Sequence, residues 1–180
     1  MSYSVIIDAG HGGRAVGASA FGVTAKDWNL RMSLYQYEKL KACGIDVALT
    51  RDGDETLDCI TRAGKVKDRF DFCLSNHFDG SVTGERGIET IHSIHQSPNF
   101  AESLARVVSV ESGLPIRGVF TREWDGRDYH FMHRLTGCTQ TVILVYGFLD
   151  HKKDFNFYKK DRNFYRVADA VVGEIIRWCQ

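Results

Sequence analysis

Charge of one sign is missing from this sequence. Its 23 lysines and arginines balance 23 aspartates and glutamates over 180 residues, so no global basic field exists to hold nucleic acid or an acidic membrane surface. Long apolar runs are missing too: nowhere do eighteen apolar residues follow one another, which argues against membrane insertion. The opening Met1-Ser2-Tyr3-Ser4-Val5-Ile6-Ile7-Asp8 lacks the basic start and apolar stretch of a secretory leader, so the expectation is a chain made in the cytoplasm without an export signal. Cys43, Cys59, Cys73, Cys138 and Cys179 form no C-x-x-C pair, and an odd count cannot close a complete disulfide framework. They are expected to be reduced and mostly to serve as packing residues. Internal repeats, low-complexity tracts and Pro- or Ser-rich linkers are also absent. With 43% hydrophobic residues, the chain is expected to be one domain over 1–180 around its own core, and a monomer.

Along the chain, short apolar runs alternate with helical patterns. Val5-Ile6-Ile7 reads as a buried strand delivering the glycine-rich stretch Gly10-His11-Gly12-Gly13. Thr24-Ala25-Lys26-Asp27 has the form of a capping box, and a helix over Trp28 to Cys43 stops at Gly44. Ile45 to Leu49 and Phe70 to Leu74 read as strands, Leu57 to Lys67 as a helix, and Ile88 to Ile94 as a half-buried alternating strand. A helix follows Pro98 and ends near Gly113, Thr141 to Val145 is an unbroken apolar strand, and Phe164 to Trp178 is an amphipathic terminal helix. Runs of this kind predict an α/β fold, a mostly parallel or mixed sheet with helices on both faces. In such sheets ligands gather beyond the carboxyl ends of the strands.

Two histidines sit at such ends. His11 lies among three glycines that turn the backbone and leave the imidazole approachable. His77 follows the run Phe72-Cys73-Leu74-Ser75-Asn76, immediately past a buried strand, with Asp79-Gly80 marking a turn behind it. Two imidazoles released at one sheet edge can converge on a metal, and a catalytic zinc site wants three protein ligands and an open position for water.

Five segments extend this reading: Ile6-Ile7-Asp8-Ala9-Gly10-His11-Gly12-Gly13, Lys26-Asp27-Trp28-Asn29-Leu30, Thr50-Arg51-Asp52, Leu74-Ser75-Asn76-His77, and Val142-Ile143-Leu144-Val145-Tyr146-Gly147-Phe148-Leu149-Asp150. In this order they resemble the zinc-dependent N-acetylmuramoyl-L-alanine amidases (amidase type 3) across essentially the whole chain. Asn76-His77 and the segment Tyr129 to Gly137 look most like bacteriophage endolysin catalytic domains. The resemblance implies a six-stranded sheet and zinc-assisted hydrolysis of the amide joining N-acetylmuramic acid to L-alanine in bacterial peptidoglycan, with metal-bound hydroxide as the attacking group. It also implies action on the host wall after release from the cytoplasm; no wall-binding domain is expected within 1–180.

The family's metal is held by a histidine after the first strand, a glutamate opening the first helix and a histidine after a central strand. His11 and His77 match two of these positions, whereas Ala25 stands at the third. The family's catalytic glutamate stands two residues before the Gly-Phe of the last strand, where this chain has Val145. Both exchanges remove a carboxylate. Asp27 points roughly 200° around the helix from Ala25 and already suits capping; Asp79 is nearer to His77 but suits a turn; Glu85 and Glu89 have no placement from sequence. General acid–base help is worth roughly 10² to 10⁴ in rate, so a chain lacking both acids should be a poor amidase. Three readings follow: an impaired zinc amidase, an inactive peptidoglycan binder of the same fold, or a metal-free module with incidental histidines. Of the other residues, His92 and His95 read as a strand end, His130 and His133 as a surface helix or a groove wall, and His151 as part of a solvated loop. Arg117, Arg122, Trp124 and Arg127 read as a polar, aromatic loop able to contact glycan or peptide.

Overall fold

The computed structural model describes residues 3–81 and 84–180. In chain order its elements are β1 (Ser4–Ala9), the short strands β2 (Ser19–Ala20) and β3 (Val23–Thr24), α1 (Ala25–Ala42), β4 (Asp46–Leu49), α2 (Cys59–Val66), β5 (Phe72–Asp79), β6 (Ile88–His92), α3 (Asn99–Ser112), β7 (Ile116–Phe120), the hairpin strands β8 (Glu123–Trp124) and β9 (Arg127–Asp128), α4 (Phe131–Arg134), β10 (Gln140–Phe148), α5 (Lys152–Tyr158) and α6 (Asp161–Cys179). Six strands form one sheet in the order β4-β1-β5-β10-β6-β7. β4, β1, β5 and β10 run parallel, and β6, itself parallel to β7, pairs antiparallel with β10. The expected mixed, mostly parallel six-stranded α/β sheet is what the chain forms.

Alternation along each strand sends side chains to two unequal cores. On one face Val5, Ile7, Leu74, Val142 and Leu144 pack under α1, α3 and α6, where Leu40, Phe100, Leu104, Phe164 and Val171 are fully buried. On the other face Ile6, Cys73, Ile91 and Ile143 meet Val66 of α2 and Met132 of α4. The second layer is thin, and beside it a cavity opens at His11 after β1, at His77 and Asp79 of β5 and at Val145 of β10.

Several boundaries differ from the sequence reading. β5 continues to Asp79, so His77 lies inside the strand rather than past it. Residues Ile88 to Ile91 of β6 are buried without alternation, because helices cover both sides of that strand. α1 starts at Ala25 as the capping pattern predicts, but Thr24 caps no backbone amide; its hydroxyl donates to Asp27 Oδ2 at 2.5 Å. α2 begins two residues later than Leu57, where the Asp58 carboxylate accepts from the amides of Ile60 and Thr61 at 2.9 Å each. The cysteines are unpaired, yet only Cys73 and Cys179 are buried, so most of them are surface residues rather than packing ones. Among the described residues no helix is long and apolar enough to cross a membrane.

Candidate active site

β1 ends in a strained turn. His11 takes φ of 62°, in the left-handed region, and is followed by Gly12 at 132° and Gly13 at 53°; a non-glycine residue held there is uncommon and costs of order 1 to 3 kcal/mol. Arg51, from the Thr50-Arg51-Asp52 segment, holds the turn in place. Its buried guanidinium donates to the carbonyls of Ala9 and Gly10 at 3.1 Å and of Lys26 at 3.0 Å, tying the turn to the first turn of α1. From α1, Asn29 donates to the Gly10 carbonyl at 3.1 Å and accepts from the Phe78 amide at 2.8 Å. Deeper in, Asn76 donates to Ser33 and Gln36 and accepts from the Tyr146 hydroxyl at 2.8 Å. These polar side chains are buried and satisfied, the condition under which buried polar groups specify a single register.

The opposite face carries the chemistry-bearing row. Ala9 pairs with Asn76, His77 with Val145, and Val145 with Glu89, so His77, Val145 and Glu89 stand side by side on β5, β10 and β6. The His11 and His77 rings lie with centroids 5.2 Å apart at 75°. They open into a cavity of about 380 Å³ that Val145, Asp79, Arg122 and His130 also line. Close backbone approach makes the rings fit: a Cβ on Gly10 would lie 2.5 Å from His77 Cε1, and one on Gly17 2.6 Å from His11 Cδ2. Burial pushes the His77 imidazole down to about 3, helped by Arg62 and His11; burial likewise lowers His11. Both rings are therefore neutral at pH 7, the form that binds metal.

Beneath them lies a buried ion pair that sequence reasoning missed. Asp8, wholly buried, accepts from Arg62 Nε at 2.7 Å and Nη2 at 2.5 Å, from Thr50 at 2.8 Å and from Ser75 at 2.5 Å. Burial alone would raise its carboxyl, but the guanidinium and the hydroxyls outweigh this and hold it at about 2. Nothing in the pattern flagged Arg62, because an arginine in a helix normally faces water.

The glutamate positions are apolar in place as well as in sequence. Ala25 is fully buried beside His11, for the same Gly17 Cβ would lie 2.8 Å from His11 Nε2 and 2.9 Å from Ala25 Cβ. Among the described residues no three His, Cys, Asp or Glu side chains gather to hold a metal ion. Zinc thus finds two fitting donors and no third. Asp27 is engaged with Thr24, and Asp79, although it lines the cavity, donates no third side of a metal cage; its Oδ1 accepts from the Gly80 amide at 2.8 Å. Glu85 and Glu89 are both held by Arg117, with Arg122 Nη2 4.0 Å from Glu89 Oε2.

The remaining sequence candidates scatter. His92 ends β6 half-buried and His95 is exposed. His133 is no surface residue: α4 carries it inward to 6% exposure, and burial lowers it to about 4. His130 lines the cavity. His151 is half-buried at the residue before α5 rather than in a solvated loop, its Nδ1 3.6 Å from the buried carboxylate of Asp154. Arg117 belongs to β7, and Trp124 and Arg127 to the β8–β9 hairpin, so the expected loop is largely strand.

The family model described as N-acetylmuramoyl-L-alanine amidase matches residues 5–177. The chain belongs to this family. YqiI of Bacillus subtilis (strain 168) is 28% identical over 173 residues, 96% of this chain and 82% of that protein. The endolysin of Bacillus phage SPP1 is 35% identical over 103 residues, 54% of this chain; the match spans 36% of the endolysin's length. Among solved structures, the catalytic domain of the amidase CwlV from Bacillus (Paenibacillus) polymyxa var. colistinus superposes with a TM-score of 0.87 at 26% identity, over 98% of this chain and 97% of that one. The amidase fold therefore extends through the whole chain.

Proposed function

We propose that this chain is a peptidoglycan-directed amidase of impaired turnover, which seats the junction between N-acetylmuramic acid and L-alanine in the cleft of His11, His77 and Val145. One observation carries the reading: the cleft keeps two neutral imidazoles 5.2 Å apart while both neighbouring acid positions are filled by buried apolar residues. His11 and His77 are read as two-thirds of a zinc site, with Ala25 at the place of the missing ligand. Losing a carboxylate that touches the metal should weaken zinc by more than the roughly 10- to 100-fold typical of outer hydrogen-bonding partners. Losing the proton-transferring acid at Val145 should cost a further factor of roughly 10² to 10⁴. A binder without turnover is the limiting case. The protein is taken to work as a monomer on the wall of a bacterial host, as an endolysin does.

The test compares bound zinc and the release of new amino termini from cell walls in the parent chain and in a version carrying Ala25→Glu and Val145→Glu. The expected result is stoichiometric zinc and lysis in the double variant, with wall binding but little release in the parent. A double variant that folds, yet neither holds zinc nor releases amines, would sink the reading. So would a parent chain that fails to bind walls.

A further inference from the structure

Outside the cleft, the strongest unexplained surface is the β8–β9 hairpin. Its turn, Trp124-Asp125-Gly126-Arg127, takes positive φ at both central residues, 51° and 72°, the two-residue form that matches strand twist. The hairpin is anchored rather than loose. Asp128, 4% exposed, accepts from Ser93 Oγ at 2.7 Å and from the Ile94 amide at 2.9 Å. Arg134 donates to the carbonyls of Asp128 and Tyr129 at 2.8 Å each. On this rigid base Trp124 stands 72% exposed and Tyr129 57% exposed, facing a groove whose other wall is Ile60 on the first turn of α2. The contrast with Trp28, 8% exposed in the core, is large. Exposed aromatic surface on a fixed support marks a binding site rather than packing.

The groove, about 640 Å³, shares Cys59, His130 and Phe131 with the His11/His77 cavity, so a ligand can run from one into the other. We infer that this groove is a sugar-binding platform, on which Trp124 and Tyr129 stack against a pyranose of the glycan strand whose lactoyl–peptide junction lies in the cleft. An N-acetylhexosamine offers an apolar C–H face to the rings and neutral hydroxyl and amide edges to flanking polar groups. Of the charged side chains lining the groove, Arg127 is exposed and free to donate to those edges, while Asp128 and Arg134 are engaged in anchoring the hairpin. The inference rests on the peptidoglycan reading above.

The parent chain is titrated with a peptide-free N-acetylglucosamine oligosaccharide, an intact muropeptide and a free stem peptide, following tryptophan fluorescence and calorimetry. The same is done for Trp124→Ala and Trp124→Phe. Oligosaccharide and muropeptide affinity should fall about tenfold in Trp124→Ala, recover in part in Trp124→Phe, and leave stem-peptide binding unchanged. The thermal midpoint should not move, since Trp124 faces solvent. If the parent binds muropeptide and Trp124→Ala binds oligosaccharide and muropeptide equally well, the platform is refuted while the proposed function stands. A change in oligomeric state in Trp124→Ala would assign the surface to a second copy of the chain and overturn the inference. If the parent binds neither muropeptide nor oligosaccharide, the proposed function falls and the platform with it.

Discussion

Replacing Arg62 by Met isolates the energetic role of the buried pair under the histidines. The methionine fills similar volume but leaves Asp8, wholly buried, without its two guanidinium bonds; only the Thr50 and Ser75 hydroxyls remain. Stranding one charge of a buried pair costs roughly 3 to 5 kcal/mol, a large share of the 5 to 15 kcal/mol that holds a domain together. Asp8 can relieve part of this by taking up a proton. In the parent its carboxyl is held at about 2, below the ordinary 3.8, so its contribution is present above that ordinary value and lost as pH falls toward 2. In the variant burial, the largest influence on this carboxyl, is opposed only by the Thr50 and Ser75 hydroxyls, and the folded value moves above 3.8. The sign then reverses: stability is greatest at low pH and declines as pH rises through the folded value. Urea unfolding at pH 5 and pH 7 of the parent, Arg62→Met and the double variant Asp8→Asn with Arg62→Met measures both effects. The single variant should lose roughly 3 to 5 kcal/mol at pH 7, and the double should regain more than half of it. A loss below about 1 kcal/mol in the single variant, with an unchanged denaturant slope, would refute the account of Asp8 as a charge dependent on Arg62.

His133, buried on α4 and lowered to about 4 from the ordinary 6.5, stays neutral in the fold while the unfolded chain takes up its proton. Its contribution to stability should therefore fall by up to about 3 kcal/mol as pH drops from 6.5 to 4 and be flat above; a His133→Phe variant with the parent's full slope across that window would contradict the assignment. Gly10→Ala places a Cβ 2.5 Å from His77 Cε1 and 2.7 Å from the Asn76 carbonyl oxygen, so ring or backbone must shift. A loss of roughly 1 to 3 kcal/mol is expected, and an unchanged unfolding midpoint would count against the close packing of strand and ring.

The sheet was readable because its buried strands are apolar runs and its helices carry regular stops: Gly44 at a φ of 76° and Gly113 at 70° stand where the periodic segments end. What escaped was decided by contacts distant in sequence. β5 runs on through Ser75, Asn76 and His77 because Asn76 is satisfied by α1 and Tyr146, so a polar stretch that resembles a strand end is strand interior. β7 and the β8–β9 hairpin read as a loop in the sequence because Arg117, Arg122 and Arg127 mask any apolar period; their strands are fixed by pairing with β6 and by the anchoring of Asp128. The two histidines were legible from glycine context and strand position. Glu89 was not, since only register places it beside Val145 and across from Arg117.

Under the proposed reading, the contacts that hold the cleft can outlast its chemistry. The groups that hold the turn after β1 and the end of β5 are Arg51, Asn29, Asn76, Tyr146 and the Asp8–Arg62 pair, and none of them is a family metal ligand or proton carrier. Ala25 and Val145 sit in fully or nearly fully buried positions next to the imidazoles. A carboxylate there must be desolvated and is repaid only by a bound cation, whereas alanine and valine simply pack. Exchanging acids for apolar side chains at these two places therefore relieves the scaffold rather than straining it, the usual direction of the trade between stability and activity. Selection on folding alone would not restore the acids. Under the proposed reading, wall recognition is the property this arrangement preserves at no structural cost, and turnover is the one it gives up.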